Sequence, residues 1–117
     1  MNFNNSDKAI YMQIADRLCD EIISGKYKDD DRIPSVREYS VLLEVNTNTV
    51  VKAYDYLARE EIINTKRGLG YFVTNGAKQH ILKMRRNEFM QQTLPEVFRQ
   101  MRLLGIEIEE VVNLFNK

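Results

Sequence analysis

The chain has no long apolar run, a single cysteine, a single histidine and no excess of charge of either sign. Each shortage removes a class of protein. A membrane-spanning helix needs roughly 20 consecutive apolar residues, and no stretch of the 117 residues comes near that. One thiol, Cys19, can form neither an internal disulfide nor a zinc cluster, which fits a reducing, cytoplasmic setting. It falls on an apolar stripe and reads as a small buried hydrophobe. His80 has no nucleophile or orienting group patterned around it, so no catalytic constellation is expected and it reads as a surface helix residue. Met1 to Asp7 lacks a basic and an apolar region and is read as no signal peptide. Asp29-Asp30-Asp31 has no spaced ligand partners and reads as a solvated loop; neither metal nor cofactor is expected.

The balance of charge is zero, yet its distribution is uneven. Residues 1–76 carry ten Lys/Arg against twelve Asp/Glu. The acids concentrate at Asp20, Glu21 and Asp29–Asp31, and at Asp55, Glu60 and Glu61. The bases Arg32, Arg37, Lys52, Lys66 and Arg67 fall where a DNA face is expected. For phosphate contact the local field matters more than the net charge, and binding through it depends strongly on salt.

Apolar spacing organises the first 76 residues. Ile10, Ile14, Leu18 and Ile22 repeat at helical intervals, predicting a helix over about 8–24 that Gly25 ends. Ser35 and Glu38 have capping-box spacing, so a second helix opens after Pro34, with Tyr39, Leu42 and Leu43 on its buried side. Asn46 is a good N-cap for a third helix, whose inner positions are Val50, Ala53, Tyr54 and Leu57. Two short β-type runs, 62–66 and 71–74, flank Arg67-Gly68-Leu69-Gly70, where two glycines permit a tight hairpin. Helix, helix, turn, helix and hairpin in that order predict a winged helix-turn-helix. The fold class is mainly α (α+β), and the usual partner of such a module is double-stranded DNA.

Within that module the exposed start of helix three suits base edges and phosphates. Thr47, Asn48 and Thr49 are short side chains with donors and acceptors, at a helix N-terminus. Arg37 has a planar fork and lies beside the turn, and Lys52 is one turn into helix three. Lys66 and Arg67 flank the wing tip, with Gly68 at its apex. Ser35 and Asn46 complete the expected DNA-facing set. Lys78, Lys83, Arg85 and Arg86 form a basic run just beyond.

These residues resemble the GntR family of bacterial transcription regulators, most closely its short YtrA-type subfamily. The family pattern Leu-Pro-Ser-x-Arg-Glu-Leu-Ala stands here as Ile33-Pro34-Ser35-Val36-Arg37-Glu38-Tyr39-Ser40. Val-Asn-x-Asn-Thr-Val-x-Lys-Ala-Tyr is met by Val45 through Tyr54, and the wing pattern by Lys66 through Val73. Asp30 and Glu61 stand where the family often has glycine, so those two turns are expected to be built differently. The resemblance implies DNA contact through Arg37, Thr47, Asn48, Thr49, Arg67 and Gly68. It also implies a repressor, often of transporter genes.

Residues 77–117 differ in character. Ala77 to about Gln92 reads as a polar, basic helix, and Thr93 with Glu96 repeats the capping-box spacing. Leu94, Val97, Phe98, Met101 and Leu104 make one apolar stripe; Ile108, Val111, Val112 and Phe115 make another. Two short helices cannot cover both, so a homodimer is expected, with these nine residues at its interface and a near-palindromic operator. Folding back on the winged domain is the alternative. The expected domains are therefore 1–76 and 77–117. A small-molecule effector is not identifiable from the sequence; the place to seek one is near Tyr11 and helices 77–104. A second functional class is a winged protein-interaction module without sequence-specific DNA binding. The polar tip of helix three argues against it, because such a face should carry apolar anchors.

Overall fold

The computed structural model describes residues 8–117. The element order is α1 (Ile10–Ile23), α2 (Val36–Leu43), α3 (Thr47–Arg59), β1 (Ile63–Lys66), β2 (Gly70–Val73), α4 (Ala77–Glu88), α5 (Leu94–Leu104) and α6 (Ile108–Phe115). Two compact units divide the chain after Leu82, so the first turns of α4 belong with the winged unit.

In the winged unit, each helix buries the stripe that its spacing prescribes. Ile14, Leu18 and Ile22 of α1 meet Val50, Ala53, Tyr54 and Leu57 of α3 in one core, closed by Tyr39 and Leu43 of α2 and by Ile33, Ile62, Ile63 and Val73. Cys19 is buried on α1. Leu42, expected inside, is instead exposed. In the short α2 the inner face is already filled by Tyr39, Ser40 and Leu43, which turns Leu42 outward. The hairpin is antiparallel, with Ile63 opposite Val73 and Lys66 opposite Gly70. Arg32 adds a one-residue third strand by bridging to Phe72.

The turns at Asp30 and Glu61 keep the geometry glycine favours. Both residues sit at positive φ, +66° and +60°, a region that crowds an L side chain. Asp30 has compensation, since the Asn75 amide donates to its carboxylate at 2.9 Å. Glu61 is exposed and has no such contact. Glu61→Gly should therefore stabilise the unit by about 0.5–1 kcal/mol, read as a higher urea midpoint with an unchanged slope. The Asp29–Asp31 run serves the backbone: Asp29 accepts from the Gly76 N–H and Asp31 from the Lys28 N–H. Among the described residues, no cluster of three or more His, Cys, Asp or Glu side chains is arranged to hold a metal.

In the second unit, the predicted break at Thr93 does not form. Thr93 is helical (φ −69°, ψ −50°) and makes no side-chain cap. A π-helical turn over Phe89–Thr93 joins α4 to α5, so the backbone stays helical from Ala77 to Leu104. Glu96, freed from capping, binds Arg99 at 2.6 and 2.8 Å; that guanidinium holds the Glu96 carboxyl down at about 2. Gly105 stops α5 at φ +68°. A capping box between Glu107 and Glu110 opens α6.

Candidate nucleic-acid interface

The helix-turn-helix is set by three polar contacts around the α2–α3 corner. Ser35 Oγ accepts from the Glu38 N–H at 3.1 Å, and the Ser35 N–H donates to Glu38 Oε1 at 3.0 Å. These bonds hold the Glu38 carboxyl below the usual carboxylate range. Asn46 Oδ1 accepts from the Asn48 N–H at 2.8 Å and caps α3. The turn between them is Glu44, Val45 and Asn46, with Glu44 left-handed at φ +56°. Ser35 and Asn46 thus spend their side-chain oxygens on the backbone.

Two buried tyrosines fix the angle between the helices. The Tyr54 hydroxyl donates to the Pro34 carbonyl at 2.7 Å, tying α3 to the residue before the α2 cap. The Tyr39 hydroxyl donates to Glu21 and ties α2 to α1. Burial pushes both phenols well above their ordinary range, so both stay protonated donors. Tyr71 of the wing meets Tyr54 edge-on, with centroids 4.9 Å apart.

Thr47 and Asn48 are then exposed at the α3 N-terminus, Thr49 is half-buried beside them, and Arg37 is exposed in the first turn of α2. Thr47 Oγ1 lies 3.4 Å from Ser40 Oγ, a weak contact that leaves it outward. The Lys52 ammonium rests 4.4 Å over the Tyr11 ring and the Lys66 ammonium 4.3 Å over Phe72. Arg67, Gly68 and Leu69 form the exposed wing tip, closed by the Leu69 N–H donating to the Lys66 carbonyl at 2.8 Å. None of Arg37, Lys52, Lys66 and Arg67 pairs with a described carboxylate, whereas Lys8, Lys26 and Arg99 do. The two ring seats were not anticipated. The hairpin register held the signal for one of them, since Phe72 is the diagonal neighbour of Lys66. Tyr11 under Lys52 is a tertiary contact with no local signal. His80 is exposed, with Nε2 2.9 Å from the Glu60 carbonyl.

The second unit leaves its stripes largely uncovered. Met101 is buried and Leu94, Phe98 and Val111 are half-buried, but Val97, Leu104, Ile108, Val112 and Phe115 are exposed, Leu104 at 71% and Phe115 at 88%. No helix among the described residues is long and apolar enough to cross a membrane.

Known proteins share both the sequence and the fold. Residues 10–73 match the family of bacterial regulatory proteins named gntR. The HTH-type transcriptional repressor YtrA of Bacillus subtilis is 34% identical over 106 residues, spanning 91% of this chain and 81% of that one. A solved structure assigned to the GntR regulators, from Bacteroides thetaiotaomicron, is 47% identical with a TM-score of 0.80, over 92% of this chain and 94% of that one. The DNA-binding domain of AraR in complex with operator ORX1 is 25% identical with a TM-score of 0.57, over 63% of this chain and 92% of that one. Family regulators of this kind are not enzymes. With two capped helices, a glycine-tipped wing and these relatives in agreement, the chain belongs to the GntR family of bacterial transcription regulators and carries its winged helix-turn-helix DNA-binding domain.

Proposed function

We propose that the protein is a cytoplasmic, homodimeric repressor that binds a near-palindromic operator, in the manner of the YtrA-type subfamily, and that transporter genes are among its targets. The DNA-binding domain is assigned to residues 1–76 and the dimerisation role to the tail 77–117, of which the segment to Leu82 clusters with the winged unit. In this reading, Thr47, Asn48 and Thr49 face base edges in the major groove. Arg37 holds a phosphate or a guanine edge, Lys52 holds a phosphate, and Lys66, Arg67 and Gly68 enter or border the minor groove. Ser35 and Asn46 present the two helix starts, whose backbone N–H groups suit phosphate. A two-fold dimer would set two recognition helices about one helical turn of DNA apart.

One observation carries the reading: the exposed cations of this face are left without carboxylate partners in a protein of zero net charge. The exposed start of α3, Thr47 to Thr49, carries none of the apolar anchors an interaction module would place there. The relative named a repressor and the relative solved with an operator support the same direction.

The test is fluorescence anisotropy with duplexes from the protein's own upstream region, at two salt concentrations. Wild type should prefer one duplex over random DNA and lose affinity as salt rises. Arg37→Ala with Thr49→Ala should weaken operator binding by about 10- to 100-fold, the loss expected for one or two base or phosphate contacts. A folded protein with no preference for any upstream duplex would instead favour the interaction module.

A further inference from the structure

Arg32 is one of the bases expected on the DNA side, but no contact is assigned to it above; the strand ladder carries it onto the wing. Its bridge to Phe72 is flanked by two backbone hydrogen bonds: Ile33 N–H to the Tyr71 carbonyl at 3.0 Å, and Val73 N–H to the Asp31 carbonyl at 2.9 Å. Arg32 and Phe72 are therefore a non-hydrogen-bonded antiparallel pair, the closer of the two kinds, with both side chains on one face. The hairpin register sends Lys66 to that same face, because it pairs with Gly70, two residues before Phe72. The opposite face carries Ile33, Ile63 and Val73, all buried in the core.

The outer face of the wing thus presents two cations, one on each side of β2. The Lys66 ammonium is seated on the Phe72 ring at 4.3 Å. The Arg32 guanidinium lies along Gly70: a β-carbon built there would stand 3.4 Å from its Nε and 3.8 Å from its Nη2. Arg32 is exposed and forms no ion pair with a described carboxylate. Glu38 is the acid that feels its charge, and Glu38 is already bound to the Ser35 backbone. An unneutralised guanidinium presents a planar fork of donors that suits a phosphate.

We infer that the outer face of the wing is a second phosphate-contacting surface, on which Arg32 and Lys66 grip the DNA backbone beside the groove entered by the wing tip. The inference rests on the DNA-binding reading above. Contacts of this kind position the protein and do not read sequence. They add affinity to any duplex and one released counterion per cation.

Salt titrations distinguish the outcomes. Binding of wild type, Arg32→Ala, Arg32→Lys and Arg32→Ala with Lys66→Ala would be followed from about 50 to 300 mM salt, on an operator duplex and on a scrambled one. Arg32→Ala should flatten the log–log salt slope by about 0.9, and the double variant by about 1.8. Both duplexes should weaken by the same factor, and Arg32→Lys should keep the wild-type slope. An unchanged slope for Arg32→Ala overturns the inference, whether affinity is retained or falls together with the melting temperature. A loss confined to the operator duplex also overturns it, because that pattern is base reading. Failure of wild type to bind either duplex would instead overturn the DNA-binding reading itself.

Discussion

If the protein is the homodimer proposed above, replacing Val97 and Val112 together by aspartate is expected to leave it monomeric. Operator affinity should fall by about 10²–10⁴-fold, because the second half-site then binds as an independent event rather than a linked one. The physical reason lies in the second unit. α6 has only 8 residues, whereas isolated helices shorter than about 12–15 residues are marginal in water, and α5 is the exposed end of the helix that begins at Ala77. The stability of α6 has to come from burial, yet Val112, like Val97 of α5, is exposed within one chain, at 46% and 40%. In the proposed homodimer a second copy covering both stripes would supply that burial, and two buried carboxylates without partners would oppose it. Sedimentation equilibrium reads the oligomeric state, and anisotropy reads the affinity. Circular dichroism should still show the winged unit melting cooperatively. A variant that remains dimeric would move the interface away from these stripes.

The second large effect is expected at Tyr54. Tyr54→Ala should cost about 3–5 kcal/mol, as aromatic truncations in a packed core do, against a total of about 5–15 kcal/mol for a typical domain. The residue is fully buried, contacts Tyr39 and Tyr71, and carries the hydroxyl that holds Pro34. Tyr54→Phe keeps the packing and removes only the donor, so it should cost about 1–2 kcal/mol from the unpaired Pro34 carbonyl. Urea denaturation separates the two. Because Pro34 immediately precedes the cap of α2, the phenylalanine variant should also loosen the placement of Arg37. Its operator affinity should fall at a temperature where the fold is intact. A Tyr54→Phe protein of wild-type stability would show that water replaces the lost donor.

Much of the winged unit was legible because its signals are local. The Ser35–Glu38 box and the Asn46 cap each use atoms within three residues of one another, so spacing alone specifies them. The inner faces of α1 and α3 follow from a 3.6-residue period meeting a single core. Leu42 was misread because α2 has only 8 residues and little room for a third large side chain on its inner face. Thr93 was misread for a related reason. A capping box is a local option, and here the backbone continued through a π turn while Glu96 took Arg99 as its partner. The left-handed turns at Asp30 and Glu61 illustrate the reverse: a turn geometry that glycine favours was retained without glycine.

The sequence by itself determined the elements, their order, the caps, the glycine-tipped wing and the residue types at the α3 N-terminus, because periodicity and short-range hydrogen bonding are written within a few residues. Only the tertiary structure decided where the cations rest. Tyr11 comes to Lys52 through the α1–α3 packing, and Arg32 comes to Gly70 and Phe72 through a bridge some 40 residues away in the chain. Such pairings depend on which distant surfaces the core brings together, and a core is the sum of many weak apolar contacts with no sequence-local signature.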